Sequence, residues 1–108
     1  MGGQAQGMEH HVYFWLKDER QNEEDRASFE AGLEKLLSSP NIARGTWGKP
    51  APTAERPVTD HSWHYGISLA FDSMAAHDIY QSDEDAQHDE FVSSFKDWWE
   101  KVLVMDLA

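Results

Sequence analysis

HHVYFWLKD, residues 10–18, is the stretch that most limits how this chain can fold. It is rich in β-branched and aromatic residues, too short for a buried helix, and ends at the polar run DERQ, so it predicts a strand. Side chains alternate across a strand, which puts His10, Val12, Phe14 and Leu16 on one face and His11, Tyr13, Trp15 and Lys17 on the other. A strand with helices on one side and water on the other alternates cleanly between apolar and polar. This one does not. It demands cover on both faces, more than a small monomer readily supplies.

The remaining segments fit around that strand. Asn22 is placed to cap a helix whose first turn holds Glu23, Glu24 and Asp25, with Lys35 near its negative end. Phe29, Leu33 and Leu36 form one apolar stripe, and Ser38-Ser39-Pro40 ends the helix. Residues 42–49 predict a second strand, and the proline-bearing stretch 49–60 a loop. In HSWHYGISLAF (61–71), Trp63, Tyr65, Ile67, Leu69 and Phe71 share a face. The opposite face carries His64, Gly66, Ser68 and Ala70, leaving room for bulk such as Tyr13 or Trp15. Asp72 or Ser73 then caps a short helix through Tyr80. A second helical segment runs from about His88 to Glu100, and VLVMDL (102–107) closes the chain as a strand. The order is βαββαβ with the second helix broken, a ferredoxin-like α+β plan: an antiparallel sheet with helices on one face. Packing two such sheets face to face about a two-fold axis buries the apolar outer face, so the expectation is a homodimeric α+β barrel.

Composition excludes several classes of function. At 108 residues the chain makes one domain, expected over 9–108 behind a flexible Gly-rich leader over 1–8, with Met8 a candidate start. There is no cysteine, hence no disulfide, thiolate metal site or cysteine nucleophile. With no signal-like segment either, a cytoplasmic location is expected. A net charge of −11, from 20 acidic residues against 9 Lys and Arg, repels phosphate backbones and anionic membranes. No nucleic-acid partner and no membrane association are therefore expected. No run approaches the length of a membrane span.

Four segments, HHVYFWLKD, FDSMAAHDIYQSD, HDEF and WWEKVLVMDL, in that order, resemble the stress-responsive A/B barrel (Dabb) family. The resemblance covers nearly everything from Glu9 to Leu107. It implies a dimeric α+β barrel, in a family where many members have no established activity. It also brings a specific chemistry into view, because one branch of the family cyclises a polyketide by aldol condensation with a tyrosine and a histidine. On this chain those residues fall on Tyr80 and His88, with His10 and Trp99 matching further pocket residues. A third pocket histidine of that branch falls on Tyr65, and the stretch between Tyr80 and His88 is two residues longer and lacks the usual proline.

Read from the residues alone, His88 shares a helical face with Phe91, Phe95 and Trp99. Three readings remain open: a helix-opening histidine bonded to a carbonyl or carboxylate, a base working in an aromatic pocket, or a metal ligand. Asp83, Asp85, Asp89 and Glu90 would raise its pKa and burial would lower it. Tyr80 is either a core tyrosine or a hydrogen-bond donor to an enolate oxygen. His10 is either a pocket polar group or a buried hydrogen-bonded residue, and Trp63 either lines a planar-ligand pocket or fills a dimer core. A metal site has no support from spacing, since His10 and His11 point apart on a strand, as do His61 and His64 if extended. Asp83-Glu84-Asp85 lacks the pattern of a calcium loop and reads as a solvated turn. Gly45 and Gly48 make no phosphate loop, so no cofactor is expected. The sequence thus predicts a homodimeric barrel of unassigned activity that binds a small hydrophobic or aromatic ligand. The alternatives are a cofactor-free cyclase using His88 and Tyr80, or a cofactor-independent monooxygenase.

Overall fold

A computed structural model describes Gly3 and residues 7–108. Of the expected leader, residues 1, 2 and 4–6 lie outside the described residues, while Met8, expected in the leader, is the buried first residue of β1, paired with Phe71. The chain runs β1 (Met8–Leu16), a 3-10 turn (Asp18–Arg20), α1 (Glu23–Leu36), β2 (Arg44–Gly48), β3 (Tyr65–Phe71), α2 (Met74–Gln81), α3 (Ala86–Phe95) and β4 (Trp99–Leu107). All strand pairs are antiparallel, in the order β2-β3-β1-β4. This is the ferredoxin-like α+β topology.

The core lies between the sheet and α1. Val12, Phe14 and Leu16 of β1 and Ile67, Leu69 and Phe71 of β3 meet Phe29, Leu33 and Leu36 of α1. Phe29 is its hub, with the rings of Phe14, Tyr65, Phe91 and Phe95 all 5.1–5.5 Å away. Burial of such side chains contributes about 1.5–3 kcal/mol each, and the edge-on geometry of the three Phe–Phe contacts adds to it. Asn22 Oδ1 accepts the Asp25 N–H at 2.8 Å and so fixes where α1 begins.

On the other sheet face, Tyr13 is the register partner of Gly66. A Cβ at Gly66 would come within 3.1 Å of the Tyr13 ring and 3.3 Å of Trp63. The glycine therefore lets these two rings, 5.1 Å apart, lie over the sheet. Trp15 donates to Ser62 Oγ at 2.9 Å, and the Lys101 ammonium sits 4.5 Å over its ring.

Besides small shifts at other element ends, three features differ from the sequence expectation. β3 begins at Tyr65 rather than His61, because the His64 side chain takes the place of a strand carbonyl. Its Nδ1 accepts the Leu16 N–H at 2.8 Å, while its own N–H donates to the Phe14 carbonyl at 2.8 Å. α3 ends at Phe95, not Glu100: the Trp98 N–H turns back to the Phe95 carbonyl, the Trp98 carbonyl accepts the Lys17 N–H, and Trp99 pairs with Leu16. Trp99 is thus a strand residue and does not share the α3 face with His88. Finally, the joint between α2 and α3 is not wholly solvated. Asp83 and Glu84 are exposed, but Asp85 is buried.

Candidate functional site

The α2–α3 joint sets the site. Ser73 caps α2 by accepting the Ala76 N–H at 3.1 Å, and the helix then carries Tyr80 inward. Asp85 caps α3, one carboxylate oxygen taking the His88 N–H at 2.8 Å. Its other oxygen accepts from Ser39 Oγ at 2.5 Å and from Asn41 Nδ2 at 2.8 Å, on the chain just after α1. Burial works to raise the Asp85 pKa, but these donors and the neighbouring His88 outweigh it and hold the carboxyl below its usual range. The carboxylate thus ties the start of α3 to the end of α1 and fixes where His88 leaves the backbone.

Across this turn Tyr80 and His88 meet. Their rings are 4.4 Å apart, centroid to centroid. Both line a cavity of about 130 Å³ between sheet and helices, with His10, Phe91, Trp99 and the valines of β4 completing its wall. Neither the Tyr80 hydroxyl nor the His88 ring nitrogens hydrogen-bond to another described residue, so the helix-opening role with a bonded ring is not what the structure shows for His88. Burial lowers the His88 pKa against the pull of Asp85 and Asp89, and the neighbouring His10 and His77 push it the same way. The ring is therefore neutral near pH 7. Burial, with the Asp85 charge, raises the Tyr80 pKa, so its hydroxyl keeps its proton.

His10 is buried at the cavity end, its Nδ1 2.5 Å from Asp106 Oδ1 and its Nε2 3.3 Å from the Gln81 amide nitrogen. With the amide donating to Nε2, Nδ1 carries the proton and donates to Asp106. Burial lowers its pKa in spite of Asp106.

Three of the residues expected around this pocket lie elsewhere. Tyr65 faces the far end of the core, where it donates to Glu30 Oε2 at 2.6 Å, and burial together with Glu30 pushes its pKa up to about 12. Trp63 precedes β3, outside the strand alternation, and lies on the opposite sheet face against Tyr13. Phe95 packs between α3 and α1, where a Cβ on Gly32 would collide with its ring. Asp106 and His77 were not among the expected site residues, and Asp85 was expected only in a solvated turn near His88. His77 stands three residues before Tyr80 and so on the same side of α2, a signal that was present. Asp106 becomes visible only through the register that sets it beside His10.

These features define a class: a small α+β protein of ferredoxin-like topology with a histidine- and tyrosine-lined cavity between sheet and helices. The chain belongs to the stress-responsive A/B barrel family, whose domain model, "Stress responsive A/B Barrel Domain", matches residues 8–108. No curated protein sequence matches it significantly. Among solved structures, At3g17210 from Arabidopsis thaliana superposes with a TM-score of 0.74 at 22% identity, covering 94% of this chain and 93% of that one. A hydroxynitrile lyase from Passiflora edulis gives 0.74 at 18%, covering 94% and 93%. A dimeric ferredoxin-like protein of unknown function from Thermobifida fusca gives 0.72 at 14%, covering 99% and 96%.

Proposed function

We propose that the chain is a homodimeric binding protein whose cavity takes a small aromatic or hydrophobic ligand through Tyr80 and His88. The observation that carries this is the pair itself: two polar side chains with no hydrogen-bond partner among the described residues, lining one largely apolar cavity. Sites that bind small molecules combine apolar walls with a few such placed polar groups. The volume, about 130 Å³, is close to the roughly 150 Å³ that accommodates benzene in a protein interior. One ring, or a chain of similar bulk, matches that volume. A cytoplasmic setting belongs to the same reading and rests on the absence of cysteine.

The dimer rests on the apolar surface left over. β4 is an edge strand with Leu103, Met105 and Leu107 turned to one side and Val102 and Val104 to the other, all 38–52% exposed. A second copy covers the Leu103–Met105 side together with Tyr13 and Trp15. The Thermobifida fusca relative is described as dimeric.

A second reading is favoured by the charge states. A neutral His88 can take a proton from a carbon beside a carbonyl, while the protonated Tyr80 hydroxyl donates a hydrogen bond to the oxygen that gains charge. The resulting enolate can then close on a second carbonyl, the aldol step expected from the resemblance. That the fold is shared with a hydroxynitrile lyase shows only that it can house an enzyme.

Both readings are tested by a thermal-shift screen of ring-sized aromatic acids and short polyketide mimics on the wild type and on His88→Ala. Binding predicts a concentration-dependent rise in Tm that falls in the variant. No rise with any compound, or one unchanged by the substitution, contradicts the site. For the enzymatic reading, exchange of the α-proton of a bound ketone for deuterium must be lost in His88→Ala.

A further inference from the structure

Beside the cavity, His10 of β1, His77 of α2 and Asp106 of β4 converge. One ligand atom from each lies within 4.8 Å of the other two. Spacing along the chain hides this cluster, since its members sit on three elements. We propose that these three residues form a binding site for one first-row divalent transition-metal ion, Zn²⁺ being the reference case.

His77 carries the argument. Its Nδ1 lies 3.2 Å from Asp78 Oδ1 at the surface, whereas its Nε2 is buried and has no hydrogen-bond partner among the described residues. Buried polar atoms are nearly always paired, so an unpartnered one calls for an explanation. With Nδ1–H donating to Asp78, Nε2 carries the lone pair and faces inward. A carboxylate on the outer nitrogen and a free inner nitrogen is the arrangement that fixes the tautomer of a metal-bound histidine. The His10 and His77 rings are 5.1 Å apart, and Phe71 flanks both. Asp106, the register partner of His10, supplies a carboxylate from the edge strand.

Two imidazoles and one carboxylate are a set that suits zinc and its neighbours, leaving a position open for water or another ligand. Tetrahedral zinc at about 2.0–2.1 Å puts its ligand atoms about 3.3 Å apart. No pair therefore has to close by more than about 1.5 Å. Asp106, on the edge strand with its side chain 43% exposed, has room to adjust once its contact with His10 Nδ1 opens. Metal binding by His10 replaces a hydrogen bond it makes in the apo chain, either Nδ1–H to Asp106, whose proton is then released, or the Gln81 amide on Nε2. Mg²⁺ and Ca²⁺ prefer all-oxygen shells and are poorly served here. The site shares His10 with the ligand cavity but does not depend on any organic ligand binding there.

The test is titration of untagged protein with ZnCl₂, in the absence of organic ligands, followed by calorimetry and by long-range ¹H–¹⁵N spectra of the imidazole rings. The expected result is one Zn²⁺ per chain, with the ring nitrogens of His10 and His77 shifting together and those of His61 and His64 unmoved. His77→Ala and Asp106→Asn should each weaken binding by at least about tenfold. His88→Ala should leave it unchanged. Co²⁺ should give the visible absorption of a four- or five-coordinate centre. The imidazole spectra need no substitution, so they stand even where a variant folds poorly. Binding that leaves His77 unshifted, affinity equal to that for Mg²⁺, or no saturable binding overturns the proposal.

Discussion

The Tyr80 and His88 rings lie 4.4 Å apart across a joint that carries five acidic or amide side chains. The contact holds because Asp85 turns inward and caps α3, while Asp83 and Glu84 stay in water. Since the Tyr80 hydroxyl has no partner among the described residues, Tyr80→Phe should preserve the ring packing and leave stability within about 0.5 kcal/mol. Ligand affinity should fall about fivefold, the equivalent of one neutral hydrogen bond. Urea unfolding and a binding titration on the same preparation check both halves.

Asp85→Ala removes the carboxylate from three donors: Ser39 Oγ, Asn41 Nδ2 and the His88 N–H. The expected cost is about 2–3 kcal/mol, combining a lost helix cap with buried donors left unpaired. The folded-state pKa of this carboxyl is depressed, so its contribution is present above the unfolded value of about 3.9 and fades as pH falls through the folded one. Urea midpoints of wild type and variant should therefore differ at pH 7 and draw together below about pH 4. A constant gap would contradict the assignment.

His64 gives the opposite end of the pH scale. Its Nδ1 accepts the Leu16 N–H, which it can do only when that nitrogen is unprotonated. Burial, with Arg26 nearby, lowers its pKa. Between the folded value and the unfolded value of about 6.5 the unfolded chain binds more protons. Stability from this residue is thus full above about pH 6.5 and lost as pH falls. Wild type should lose stability between pH 7.5 and 5.5 by more than His64→Ala does, as measured by urea midpoints; equal slopes would remove His64 from the account.

The dimer predicts that sedimentation at micromolar concentration gives twice the chain mass. Leu103→Glu with Met105→Glu should give a folded monomer, because both side chains are exposed on the single chain. A wild-type monomer would contradict the homodimer and with it the argument from β1.

Much of this was legible in the sequence, and the exceptions have common causes. The two faces of β1, the α1 stripe and the Asn22 cap follow from local periodicity and local hydrogen bonding, so they could be read directly. Trp99 could not, because helical spacing from His88 extends smoothly through residues that tertiary pairing with Leu16 draws into β4. Asp85 looked like one more solvated acid; its burial depends on Ser39 and Asn41, more than forty residues away. His10, His77 and Asp106 illustrate the same limit. Their proximity is set by strand register and helix placement, which spacing along the chain does not encode.

The most direct test of the central claim is an NMR titration that watches the side chains of Tyr80, His88 and Trp99 while a ring-sized aromatic acid is added. The account predicts saturable shifts at all three, greatly reduced in His88→Ala, with Tyr65 and Trp63 unaffected. No saturable shift across a panel of such ligands, or shifts centred on Tyr65 or Trp63, would contradict it.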